Sequence, residues 1–382
     1  MEIKQLFLGL LLSLFVNCAT NEPSTKMVKG NITEDATWTS DTIYIIDQQV
    51  VVTNGATLNI EPGTLIKAKP GEFPNASMLI IANDSKINAA GTAESPIVFT
   101  SSDDNITSVD QSSQSLLNEN NKGLWGGIII LGKAPISTEN NDPSTFYVGL
   151  DPSDKDSYYG GENSADDSGV LNYVSIRYGG TYMGTGSESN GLTLCGVGNT
   201  TEISNIEVYA NQDDGIEFFG GTVNASNLLV YSSGDDGIDL DEGYTGKINN
   251  IMVVLGEQSD SGIEISGGSG DLVGNFQISD VKLTVHTPNE DQSIMRIDPK
   301  SKGSLMKVMA SNFLDVSKIQ LQSDDVSIQE LQISKSNKEA NTLNEIVGGD
   351  KNASKITFTN ELTMNTQKEL FDWTLTQQKV SH

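Results

Sequence analysis

The chain is short of the residues that staple a fold or carry acid–base chemistry, with two cysteines and two histidines in 382 positions. Cys18 ends an apolar leader run, which leaves Cys195 alone and excludes an intramolecular disulfide framework. Basic residues are scarce too, 23 Lys and Arg against 51 Asp and Glu, for a net charge of −28. So acidic a chain repels nucleic acid and anionic lipid headgroups, and nucleic acid is excluded as a partner. Aromatic residues make up only 6% while glycines number 37, a balance that suits a β-rich chain with tight corners. The apolar run from Leu6 to Val16 is too short to span a bilayer as a mature helix.

What the chain has is repetition. Asn190-Gly191-Leu192-Thr193-Leu194, Asp214-Gly215-Ile216-Glu217-Phe218, Asp236-Gly237-Ile238-Asp239-Leu240 and Ser261-Gly262-Ile263-Glu264-Ile265 share one pattern. From Gly191 to Gly215, Gly237 and Gly262 the offsets are 24, 22 and 25 residues, which suits one turn of a parallel β-helix. A second element recurs out of phase: Leu171-Asn172-Tyr173-Val174, Ile203-Ser204-Asn205-Ile206, Ala225-Ser226-Asn227-Leu228, Ile248-Asn249-Asn250-Ile251 and Ile278-Ser279-Asp280-Val281. Each coil is therefore expected to hold two strands with inward alternating apolar residues and glycines at the corners. Asn205, Asn227 and Asn250 then stack about 4.8 Å apart as a ladder of buried amides, a structural device. Cys195 follows the inward Leu192 and Leu194 pattern and reads as turn or core packing rather than chemistry. With no disulfide to help, stability must come from the stack, and a solenoid of this length need not split into domains.

The leader carries Lys4, the apolar run and Phe15-Val16-Asn17-Cys18. It resembles a bacterial lipoprotein signal, in which the cysteine becomes the acylated first residue of the mature chain. That resemblance implies residues 1–18 as signal with Cys18 as the lipidation site, palmitate among its acyl groups, and 19–30 as a polar tether.

Short strands are expected at Ile43 to Ile46, Val50 to Val52, Ala56 to Ile60, Leu65 to Lys67, Met78 to Ala82, Ile87 to Ala89, Pro96 to Thr100 and Ile128 to Leu131. They belong to a β-helix over 31–280. Two insertions interrupt it, at about 101–122 and 137–168, and each reads either as a recognition surface or as a tolerated solvated loop. Residues 281–382 are expected to hold the final coils and a cap. Glu369 to Leu375 reads as a terminal strand or a short helix plugging the last coil.

Gly55-Ala56-Thr57-Leu58-Asn59-Ile60-Glu61-Pro62-Gly63-Thr64, Gly123-Leu124-Trp125-Gly126-Gly127-Ile128-Ile129-Ile130-Leu131-Gly132 and Asp213-Asp214-Gly215-Ile216-Glu217-Phe218-Phe219-Gly220-Gly221 resemble a family of outer-membrane or cell-surface β-helix lipoproteins. The resemblance covers roughly residues 30 to 275. It implies an all-β, right-handed parallel β-helix of the pectin-lyase-like type, on the outer membrane, and carries no activity with it.

Any chemistry is expected in an acidic column. The residues between the inward apolar ones, Thr193, Glu217, Asp239 and Glu264, should face outward and align from coil to coil, with Arg296 extending the column. Asp213, Asp214, Asp235, Asp236 and Asp260 line the next corner, with Asp241 and Glu242 following Asp239. Carboxylates so close cannot all ionise freely, so they protonate, bind a cation or splay into water. Asn211 to Glu217 and Gly234 to Asp239 look like the acidic motifs of polygalacturonase-type hydrolases, which would make Asp214 and Asp236 the acid and base and Arg296 a substrate clamp. Those enzymes place Gly-His-Gly where this chain has Ser261-Gly262, and His286 and His382 lie outside the repeats. Lyase chemistry would need Lys247 or Arg296 as base. Calcium without catalysis is the other reading, with Asp213, Asp214, Asp235, Asp236, Asp239, Asp241 and Glu242 as oxygen donors. Arg177 and Tyr178 read as a surface pair.

The resulting expectation is a lipid-anchored β-helix that binds a glycan or an outer-membrane protein, along the acidic face or by the inserted loops. The alternative is a polysaccharide lyase or hydrolase. An assembly component should expose an apolar or aromatic patch, and Trp125, Phe218, Phe219, Tyr158 and Tyr159 are the side chains that distinguish the readings.

Overall fold

The computed structural model describes residues 23–184, 187–314, 317–334, 356–358 and 368–380, and in them the repeats stack into a parallel β-helix. One sheet of 23 strands runs through the stack. Its pairings are parallel, from Leu192–Cys195 on Ile216–Phe219 through Ile238–Asp241 to Ser261–Ile265 and Ser293–Ile297. Among the described residues no helix is long and apolar enough to cross a membrane.

Each coil has three sides where two were expected, because the second repeat element bends. Glu202–Tyr209, Asn224–Tyr231 and Lys247–Leu255 pair up to Ser204, Ser226 and Asn249, skip one residue, and resume at Ile206, Leu228 and Ile251. The skipped residues Asn205, Asn227 and Asn250 have φ of 53°, 56° and 60°. That left-handed conformation brings Cβ against the carbonyl and is tolerated best, after glycine, by Asn and Asp. The corner therefore explains the asparagines. Asn250 Nδ2 donates to Asn227 Oδ1 at 2.6 Å, Asn227 Nδ2 to Asn205 Oδ1 at 2.9 Å, and Asn205 Nδ2 to Asn172 Oδ1 at 2.7 Å. Only Asn250 is buried; Asn205 and Asn227 are half-buried, a correction to the expected burial of the ladder.

The glycines of the first motif have a different cause. A Cβ on Gly215 would lie 2.4 Å from Val230 Cγ1 and 2.6 Å from the Gly237 carbonyl oxygen, and Gly191 and Gly237 meet Val208 and Val253 equally closely. Backbone and lumen side chains touch there, so no side chain fits. Inside, Ile216, Phe218, Ile238, Leu240 and Ile263 join one continuous core with Trp125. Fully burying each such side chain stabilises by roughly 1.5–3 kcal/mol.

Several expectations need correction. The first strand is Ser24–Ile32, paired with Thr42–Val52, so most of the segment read as tether is the first coil. Cys18 and the leader lie outside the described residues. Arg177 and Tyr178 are fully buried, not a surface pair. What covers them is the C-terminal segment together with the first insertion, whose Ser115 hydroxyl lies 3.2 Å from the Tyr178 hydroxyl and whose Leu117 carbonyl accepts from it at 3.3 Å. The 3-10 turn Lys368–Phe371 and the helix Leu375–Val380 do not plug the last coil; they lie along the flank, with Leu375 among Tyr178, Tyr209 and Tyr231 and Phe371 against Leu229 and Met252. Lys247 is exposed and pairs with Gln277 on another side of the coil, away from the acids.

Candidate functional site

The register places the acidic column as read. Thr193 pairs with Glu217, Glu217 with Asp239, Asp239 with Glu264, and Glu264 with Arg296. Alternation turns these side chains away from the lumen, yet they are not a solvated face: Glu217 is 8% exposed and Glu264 6%. At the neighbouring corner Asp214 and Asp236 are buried, Asp213 and Asp260 half-buried and Asp235 exposed.

The cover comes from the second insertion. Thr145–Phe146 and Tyr158–Tyr159 pair as an antiparallel ribbon that lies against the outer face. Tyr147 and Tyr159 pack on Cys195 and flank Phe219, with ring centroids 6.0 and 6.3 Å from it. Cys195 is thus buried packing, as expected, but on the outer face rather than with Leu192 and Leu194 in the lumen. Tyr159 donates its hydroxyl to Glu242 Oε1 at 3.0 Å, tying the insertion to the end of the acidic strand. Apolar cover over carboxylates withholds the water that would hydrate their charges, so burial is the first cause of every shift in this group.

Burial pushes Asp214, Glu217 and Asp239 well above the usual carboxylate range, and the negative neighbours of each add to it. Asp236 is pushed up to about 11, by burial and then by its hydrogen bond with Glu264. Asp213 rises to about 6 through burial and the Asp235 charge, and Glu242 to about 7 through burial, against the bond from Tyr159.

Their hydrogen bonds bind coil to coil. Asp214 Oδ1 accepts from Asp236 N at 2.9 Å, and Asp236 Oδ1 accepts from Ser261 N at 2.6 Å. Asn190 Nδ2 donates to Glu217 Oε2. Arg296 donates to Glu264 Oε1 through Nε at 2.9 Å and to Asp260 Oδ2 through Nη1 at 3.1 Å. The guanidinium is thus paired with two carboxylates of its own chain.

For a metal the donor set is suitable. Carboxylate oxygens of Asp214, Glu217 and Asp239 come within 4.8 Å of one another, as do those of Asp213, Asp214 and Asp235, and of Asp235, Asp236 and Asp260. Asp239 Oδ1 and Asn190 Oδ1 are buried without a hydrogen-bond partner. Hard oxygen donors at this spacing fit calcium. Asp241, half-buried, accepts from Glu242 N at 2.6 Å and stands beside rather than within these groups.

Sequence reading missed a second feature. Phe73, Phe146 and Val148 are 52%, 37% and 53% exposed and line a cleft of about 790 Å³ with Leu150, Pro152 and Met183. The signal was Phe146-Tyr147-Val148, a short apolar run in an otherwise polar insertion. Trp125 and Phe218 are fully buried core; Phe219 is covered, and Tyr158 turns its hydroxyl to the Pro152 carbonyl at 3.1 Å. No aromatic platform for a sugar stands over the acids among the described residues.

No curated protein matches the chain in sequence. Among solved structures, the Dettilon tailspike protein is similar over 78% of this chain at 12% identity, with a TM-score of 0.35; the match spans 62% of the tailspike chain. The family model of the pectate-lyase-like β-helix domain matches residues 30–378, so the chain belongs to the pectate-lyase-like β-helix family.

Proposed function

We propose that this β-helix is a lipid-anchored, outer-membrane envelope component that binds an outer-membrane protein and performs no chemistry of its own. The observation that carries the reading is the two-sidedness of the second insertion. One side closes over the acid column through Tyr147 and Tyr159, while the other presents Phe146 and Val148 beside Phe73. Large apolar side chains grouped at a surface mark a protein-binding patch. The mostly apolar cleft suits a partner's side chains better than a glycan, whose hydroxyls would lose water without gaining partners. Cys18 supplies the anchor in this reading, and calcium in the acid column rigidifies the stack.

The hydrolase alternative assigns Asp214 and Asp236 as acid and base with Arg296 as clamp. Against it, both acids are closed to solvent and hold backbone N–H groups, and Arg296 is neutralised by Glu264 and Asp260. Affinity isolation of the native protein from membranes, beside its Val148→Asp variant, tests the reading. A stoichiometric envelope protein should accompany the native chain and be lost with the variant. Isolation of the chain alone, together with depolymerisation of an acidic glycan, would overturn it.

A further inference from the structure

We infer that the molecule carries a second binding site, for an uncharged oligosaccharide, in a polar pocket between the first insertion and the corners of three successive coils. The inference is independent of the protein-binding reading and does not use its cleft. The pocket is built at Tyr231, Gly256 and His286, whereas the apolar cleft borders the first coils at Lys29 and Gln48.

The recess has a cause in the register. Arg177, Tyr209, Tyr231, Val254 and Thr284 follow one another from strand to paired strand along the flank. Tyr209 and Tyr231 stack with ring centroids 5.0 Å apart and planes 6° from parallel. The next positions are Val254 and Thr284, so the column of large rings stops and space opens beside Tyr231. His286 occupies part of it, its ring centroid 6.0 Å from that of Tyr231. Glu119 and Lys122, at the end of the first insertion, form the opposite wall. The pocket they leave holds about 490 Å³, within the roughly 300–1,000 Å³ of small-ligand sites.

Both walls are held by their backbone, which leaves side chains free. Gln292 Nε2 donates to the Gly256 carbonyl and Asn289 Nδ2 to the Glu257 carbonyl, each at 2.6 Å, and Gly256 N donates to Ser259 Oγ at 3.0 Å. Opposite, Lys122 Nζ donates to the Ser233 carbonyl at 3.1 Å. Asn118 N donates to Asn121 Oδ1 and Asn120 N to Asn118 Oδ1, each at 2.9 Å, which fixes the turn before it. Among the described residues, the side chains of Asn120, Tyr231, Glu257, Gln258 and His286 have no hydrogen-bond partner. Fixed walls that carry unpaired donors and acceptors bind a ligand at little cost in ordering.

Those groups define the ligand. The Glu257 carboxylate accepts from hydroxyls, the amides of Asn120 and Gln258 donate and accept, and the imidazole and the phenol each do the same. Such a set suits a ring bearing several hydroxyls, the opposite of what the apolar cleft suits. Charge selects further. Glu119 and Glu257 outnumber Lys122, whose ammonium is already bonded, on a molecule of net charge −28, so a sugar bearing a carboxylate is repelled. Neither glutamate belongs to a carboxylate cluster that could hold a metal among the described residues.

The test applies the full-length protein to an array of immobilised oligosaccharides, uncharged hexose and N-acetylhexosamine chains beside chains bearing uronic or sialic acid. Calorimetry then follows with the best-retained sugar. Uncharged chains should be retained and acidic ones not. Glu257→Ala combined with Gln258→Ala should weaken binding by about tenfold or more, because a hydrogen bond to a charged group is lost. Both residues are exposed, so the double variant should melt with the native chain. Should it melt early, His286→Ala, also exposed at the pocket, replaces it with the same expectation. Absence of uncharged chains from the retained set, preference for acidic chains, or equal affinity of native and variant proteins would each overturn the site.

Discussion

Glu207 accepts hydrogen bonds from the backbone N–H groups of Leu375 and Thr376, 168 and 169 positions further along the chain, at 3.0 and 2.8 Å. The Thr376 hydroxyl adds a third at 2.8 Å and the Ser175 hydroxyl a fourth at 2.6 Å, while Arg177 Nη2 stands 4.0 Å away. A fully buried carboxylate thus clasps the start of the last helix to the flank of the stack. Removing it with Glu207→Ala leaves Arg177 buried beside unpaired donors, a change that costs about 3–5 kcal/mol. Thermal melting should show the loss, and limited proteolysis should cut in the segment 368–380 of the variant but not of the native chain.

Gly215 is a packing glycine. Gly215→Ala forces a methyl onto Val230 Cγ1 and the Gly237 carbonyl, and overpacking of that kind costs roughly 1–3 kcal/mol. Adding Val230→Ala should recover only part of the loss, because the carbonyl contact remains. Urea unfolding of the single and double variants measures both steps.

Asn227 has two roles that can be separated. Its amide donates to Asn205 and accepts from Asn250, and its backbone holds φ of 56°. Asn227→Ala loses both, at about 1 kcal/mol per hydrogen bond and another 1–2 kcal/mol for the left-handed backbone. Asn227→Gly restores the backbone and should be the milder variant. If the two melt alike, the corner conformation carries no cost.

The acids set the direction of the pH dependence. Asp213 and Glu242 have folded pKa values raised to about 6 and about 7, above their unfolded values of 3.8 and 4.5. Between those limits the folded chain holds more protons than the unfolded one, so stability falls as pH rises. Their contribution is complete below about pH 4 and lost by about pH 7. Melting temperature should therefore decline from pH 5 to pH 8 in chelator, and Asp213→Asn with Glu242→Gln should flatten the decline.

Calcium should act in the opposite sense. It competes with protons for Asp214, Glu217 and Asp239, so added calcium should raise the melting temperature at pH 8 and have little effect at pH 5. An unchanged midpoint with and without chelator at pH 8 would remove calcium from the column.

Much of this site was legible in the sequence. The offsets between Gly191, Gly215, Gly237 and Gly262 set the register, and the pairing of Glu217, Asp239, Glu264 and Arg296 follows from it. Asn205, Asn227 and Asn250 announced a ladder, but not the bend it sits on, since Tyr173, Asp280 and Lys307 occupy the same left-handed corner and blur its signature. Exposure was misread at Glu217 and Arg177 for one reason. Their covers, the ribbon around Tyr147 and Tyr159 and the helix from Leu375, come from segments without periodicity.

The sequence by itself determined the stack: a repeated spacing is a local property, and parallel pairing of like with like leaves each coil one place to lie. Only the tertiary structure decided what the outer faces meet. Which faces an irregular insertion or a distant C-terminal segment covers depends on contacts between parts that share no pattern. Those contacts turned an outward acid column into a largely covered one, with the carboxyls of Glu217 and Asp239 pushed up by burial, and left Phe73, Phe146 and Val148 facing water.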